Sequence, residues 1–172
     1  MNLQSNDFEL FDLKQKFNQD RAAIDTRWKE LQREAHPDKF AAQGSAAQRV
    51  AMQWSVRINE AYQRLKDPLK RAAYLCELNG AAVNAENNTA MPASFLMQQI
   101  EWREALEGAK TVENVHKIAL KSNEYGRDQL LKIEHSIDVE NNFERAVSHV
   151  RSLMFVERFT AELEARVDQL QQ

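Results

Sequence analysis

The sequence predicts an all-α protein in two parts, a helical hairpin with short flanking helices joined to an antiparallel three-helix bundle. Three observations lead there. Apolar residues recur at intervals of three and four over most of the chain, and no segment shows the strict alternation of a half-buried strand. Only four Gly and three Pro interrupt 172 residues. Between Asn79 and Pro92 the composition turns to Asn, Ala, Gly and Thr with little periodicity, which marks a linker and divides the chain into 1–78, 79–92 and 93–172.

The elements follow in order. Asp7 to Leu13 holds Phe8, Leu10, Phe11 and Leu13, enough for one or two helical turns that need a partner surface to persist. Asp20 is a natural N-cap for a helix to Ala35, whose Ile24, Trp28, Leu31 and Ala35 share one face. The opposite face carries Thr26, Lys29 and Arg33 and leads into His36-Pro37-Asp38-Lys39-Phe40. Pro37 lacks an N–H and biases His36 away from helix, so the helix stops and the chain bends there.

After a loop with Gly44, Ser45-Ala46-Ala47-Gln48 has the form of a capping box and should open the antiparallel partner helix. Its apolar face reads Val50, Trp54, Ile58, Ala61 and Leu65, and it ends near Lys66. Asp67-Pro68 caps a further helix to about Asn79, with Leu69, Ala72, Ala73 and Cys76 inward. Beyond the linker, helices are expected from Pro92 and Ser94 to about Leu106, stopped by Gly108, from Thr111 to about Glu134, and from about Asn141 to Leu170.

Composition excludes several functions. Residues 1 to 79 carry 13 Lys and Arg against 11 Asp and Glu, and residues 80 to 172 carry 10 against 15, so neither half has the cation excess that nucleic acid binding needs. A single cysteine, Cys76, allows no internal disulfide or Cys-pair zinc site, and its apolar neighbours make it a small core residue. His116, His135 and His149 are too far apart in sequence for a helical metal-ligand pair and read as surface residues; Trp28, Trp54 and Trp102 read as core. No basic leader or long apolar run points to export or a membrane, so a reducing cytoplasmic setting is expected, or an organelle matrix if a transit segment has been removed, with no metal and no cofactor.

Two constellations stand out. His36 and Asp38 form a His-carboxylate pair open to three readings: acid-base chemistry, a turn in which Asp38 caps backbone amides, or a recognition loop. Around the helix from Ser94, Phe95, Gln99, Trp102 and Leu106 share one face, while Leu96, Met97, Ile100 and Glu104 make a second, mixed with Glu101. The second face either packs internally or serves a partner, and its size suits a transient complex.

Together, helix, His36-Pro37-Asp38-Lys39, longer helix, Ile58-Asn59-Glu60-Ala61-Tyr62, Asp67-Pro68 and Lys70-Arg71-Ala72-Ala73-Tyr74-Leu75 resemble the J-domain (DnaJ-like) family. Phe40 after the Lys, Leu10-Phe11 and Ser94 to Glu104 resemble its iron-sulfur branch in particular. That resemblance implies a non-catalytic co-chaperone. It implies two partners: a DnaK-type ATPase chaperone, HscA, met by His36, Pro37, Asp38, Lys29, Arg33 and Lys39, and the iron-sulfur scaffold IscU, met by Leu96, Met97, Ile100, Glu101, Glu104 and Phe155. Asp12 stands where the family usually has Gly, Gly108 where relatives can carry an acid, and Glu30 and Glu34 make the approach helix less basic than in generalist members. The other reading is a J-domain adaptor for an unrelated client.

Overall fold

The computed structural model describes residues 2–83 and 91–172, so residues 84–90 of the expected linker lie outside the described residues. The elements are α1 (Asp7–Leu10), α2 (Arg21–Glu34), a 3₁₀ turn (Pro37–Gln43), α3 (Ser45–Lys66), α4 (Pro68–Leu78), α5 (Ala93–Gly108), α6 (Val112–Glu134), a π-turn (His135–Val139) and α7 (Phe143–Gln171). The described residues contain no strand. The chain forms two compact units, Met1–Leu75 and Cys76–Gln172.

In the first unit α2 and α3 form the expected antiparallel hairpin. Ile24, Leu31 and Ala35 are buried with Ala51, Ile58, Ala61 and Leu65. Trp28 is half-buried and stacks on Tyr62 with ring centroids 4.5 Å apart, while Trp54 is also only half-buried. Val50 is exposed and Ala51 takes its inward place. At about 100° per residue, Val50 lies roughly 80° from Ile58 and Ala51 only about 20°. The capping box at Ser45 does not form, because Gly44, at φ 99°, is the N-cap and offers no side chain. On α4, Leu69 and Ala73 are half-buried and Leu75 joins Ala72 in the core, while Cys76, the first residue of the second unit, is also buried. Burial pushes the Cys76 thiol up to about 11, which suits an inert core residue.

Two features hold the short elements to this hairpin. Asn6 and Glu9 form a reciprocal capping box on α1. Asp7 beside it is fully buried, accepts from Arg64 at 2.6 and 2.9 Å and pairs with Arg57 at 2.7 Å, and its backbone N–H donates to the Tyr74 hydroxyl. At the same, C-terminal end of α3 the buried Arg71 donates to the carbonyls of Leu65 and Phe17, at 2.6 and 2.7 Å. It thereby satisfies a carbonyl that the helix terminus leaves open.

The second unit is a bundle of α5, α6 and α7. Phe95 and Trp102 of α5 meet Tyr125 of α6 at 5.7 and 5.3 Å, and Phe155 and Phe159 of α7 at 5.6 and 5.8 Å. Gly126 lets α6 and α7 approach closely: a Cβ there would meet Val156 Cγ1 at 3.3 Å and Leu153 Cδ1 at 3.5 Å. The reversal into α7 uses a π-turn, with Glu140 N–H bonded to the His135 carbonyl, then Asn141 at φ 52° and Asn142 as N-cap. An asparagine tolerates that left-handed conformation.

His149 departs from its expected surface role. It is half-buried, with Nδ1 2.8 Å from Gln129 Oε1, and burial holds its pKa below the ordinary 6.5. A group that stays neutral in the fold but ionises in the unfolded chain withdraws stability as pH falls below 6.5, and the loss stops growing below the folded pKa. Thermal unfolding is therefore expected to show a larger drop in Tm between pH 7.5 and pH 5 for the native chain than for His149→Gln.

Candidate functional site

The turn after α2 is built by its own residues. Pro37 has no N–H to give, and the next two donors are both taken by His36: the Asp38 N–H donates to Nδ1 at 3.2 Å and the Lys39 N–H to the carbonyl at 3.0 Å. His36 is thus the cap, reversing the reading in which Asp38 caps backbone amides. The Asp38 carboxylate is left pointing into solvent at 91% exposure, 3.6 Å from His36 Nδ1. Upstream, Ser55 of α3 donates to the Ala35 carbonyl at 3.4 Å and accepts at its own carbonyl from Gln32 at 3.2 Å. The helix end that launches the turn is clamped to the hairpin.

Lys29 and Arg33 are exposed on the outer face of α2, one turn apart, and Lys39 is exposed in the 3₁₀ turn. Among the described residues none forms an ion pair with any of the three, whereas Glu30 on the same helix is engaged by Arg27 at 3.3 Å. The result is a row of available cations ending at one exposed carboxylate. A His-carboxylate pair this open to water lacks the enclosure that makes acid-base groups effective. Asp12 adopts φ 52°, a left-handed conformation that Gly takes without strain.

The second surface lies on α5. Phe95 and Trp102 are buried, while Leu96, Met97 and Ile100 are exposed at 46%, 63% and 56%, with Glu101 and Glu104 exposed beside them. The two faces read from periodicity are therefore separated, one in the core and one in solvent. Phe155, expected in the same patch, is instead 6% exposed and packed among Phe95, Trp102 and Phe159. Its spacing on α7 belongs to the buried row with Ser152, Val156 and Phe159, so it backs the patch from beneath. Arg103, which periodicity alone does not single out, lies across the Phe155 ring at 5.5 Å and reaches Glu162 of α7 at 3.4 Å.

Among the described residues no group of three or more His, Cys, Asp or Glu could hold a metal ion, and no helix is long and apolar enough to cross a membrane.

Residues 91–164 match the family model described as the HSCB C-terminal oligomerisation domain. The chain is 45% identical over 174 residues to the co-chaperone protein HscB homolog of Burkholderia mallei (strain SAVP1), covering 99% of each, and 44% identical to that of Paraburkholderia xenovorans (strain LB400), covering 98% of each. Among solved structures, chaperone HscB from Vibrio cholerae superposes with a TM-score of 0.81 at 32% identity, covering 96% of this chain and 99% of that one. Human co-chaperone protein HscB superposes with a TM-score of 0.89 at 22% identity, covering 96% and 84%, and supports the fold. With relatives 45% identical over almost their full length and a family-model match over residues 91–164, the chain belongs to the HscB family of co-chaperones.

Proposed function

We propose that the protein binds the iron-sulfur scaffold IscU on α5, delivers it to the DnaK-type chaperone HscA and stimulates that chaperone's ATP hydrolysis, aiding iron-sulfur cluster transfer in the cytoplasm. It breaks no bond itself and needs no cofactor, nucleic acid or membrane. The exposed stripe of Leu96, Met97 and Ile100 carries this reading, because a helix whose core face is already filled by Phe95 and Trp102 has no internal use for a second apolar face. Glu101 and Glu104 supply a polar rim that orients the client, and Phe155 keeps the stripe rigid from below. On the other unit, Lys29, Arg33 and Lys39 attract an acidic chaperone surface, and Pro37 and His36 hold Asp38 where an arginine of the chaperone can donate to it.

Each exposed side chain buried by the client contributes at most roughly 1.5–3 kcal/mol. Leu96→Ala, Met97→Ala and Ile100→Ala together are therefore expected to weaken IscU binding about 100-fold by titration calorimetry, with the melting curve of the bundle nearly unchanged. Unchanged affinity would remove α5 as the client surface. Phe155→Ala is unsuitable for this test, since emptying a buried aromatic position costs about 3–5 kcal/mol of stability. A pull-down that returns another protein and no IscU would favour a J-domain adaptor for an unrelated client.

A further inference from the structure

We propose that Arg103 is a further specificity-determining residue of the α5 surface, receiving a carboxylate of the scaffold client, and that Glu162 competes with the client for it. The proposal rests on the reading of Leu96, Met97 and Ile100 as the client surface. Arg103 follows Leu96 by seven residues and Ile100 by three, which puts it on the edge of the stripe that faces α7. Glu101 occupies the other flank, and Glu104 lies one turn beyond Ile100 on the same side of Arg103 as Met97. The apolar stripe is thus bounded by negative charge on one side and by a guanidinium on the other, and a partner that fits it presents a cation toward Glu101 and Glu104 and an anion toward Arg103.

Two contacts set what Arg103 can do. Its guanidinium lies over the face of Phe155 at 5.5 Å, which keeps the side chain oriented without using its N–H donors. Its one ionic partner among the described residues, Glu162, is reached by a single long contact of 3.4 Å, and the two side chains are 52% and 43% exposed. An exposed pair of that kind is held weakly. The guanidinium has five donors, and a client carboxylate arriving in its plane can form the shorter, bidentate arrangement that Glu162 does not make. Exchange of Glu162 for the client then leaves the Phe155 contact intact.

The test measures IscU affinity by titration calorimetry at low and high salt for the full chain, Arg103→Met, Glu162→Gln and Leu96→Ala. Methionine keeps a stem over Phe155 and removes the charge. Arg103→Met is expected to bind about 3- to 10-fold more weakly and with a smaller salt dependence, and Glu162→Gln about 2- to 3-fold more tightly, as removal of a competitor requires. Equal weakening by both variants would make the pair a structural brace and overturn the proposal. Arg103→Met at native affinity, with Leu96→Ala weakened, would overturn it while the client surface stands. Leu96→Ala at native affinity would remove the client surface and this role of Arg103 with it.

Discussion

Asp38→Asn is expected to abolish stimulation of the chaperone's ATPase while leaving folding and client binding as they are. The carboxylate makes no hydrogen bond within the turn and is almost wholly exposed, so its replacement removes nothing the fold uses. The turn keeps its shape because the cap is His36, whose Nδ1 and carbonyl accept from the Asp38 and Lys39 backbone N–H groups whatever the side chain at 38. On the proposed function, what is lost is a charge-assisted bond to the chaperone. Such bonds lower the free energy of a complex enough that their loss weakens it about 10- to 100-fold. ATP turnover by a purified HscA-type chaperone, measured with native and variant chains alongside their melting curves, checks this. A variant that stimulates as well as the native chain would take the signalling role away from Asp38.

Asp7→Asn is expected to produce the largest loss of stability of any conservative change in the first unit, about 3–5 kcal/mol. The Asp7 carboxylate is fully buried and serves Arg64 through both oxygens and Arg57 through one, so the amide leaves two guanidinium groups without their counter-charge. The same cluster ties α1, a helix too short to persist alone, to α3. Urea unfolding followed by circular dichroism should show a midpoint lowered by roughly 1–3 M. Because the penalty arises from stranded charge, adding Arg64→Met to Asp7→Asn should recover part of it. A midpoint within about 0.2 M of the native one would show that hydrophobic contacts of Phe8 and Phe11 alone dock α1.

These two aspartates mark where the sequence was legible and where it was not. Asp38 is visible because proline beside it fixes the local backbone, and local chain geometry is what sequence reports best. The helix boundaries at Asp20, Thr111 and Asp67-Pro68 follow from capping chemistry of the same short range. The separation of α5 into a buried and an exposed face is likewise a matter of angle along one helix. Asp7 is invisible to such reasoning, since its partners lie 50 and 57 residues away and its neighbours suggest only an apolar segment. The burial of Phe155 is hidden for the same reason: an aromatic residue on an amphipathic helix takes its surroundings from the helices packed on it. His149 looked like a surface histidine until α6 brought Gln129 against it. Gly126 is explained only by the approach of α7, and Val50 and Ser45 show that a spacing of four or a motif of four letters yields to the actual helix phase and to the residue that precedes it.

The most direct test of the coupling between the two surfaces is the ATPase rate of a purified HscA-type chaperone with this chain alone, with IscU alone and with both. Stimulation by the chain that rises further, beyond the sum of the separate effects, when IscU is added would establish that the turn signals and that the client on α5 is what it signals for. A rate unaffected by the chain, with or without IscU, would contradict both assignments.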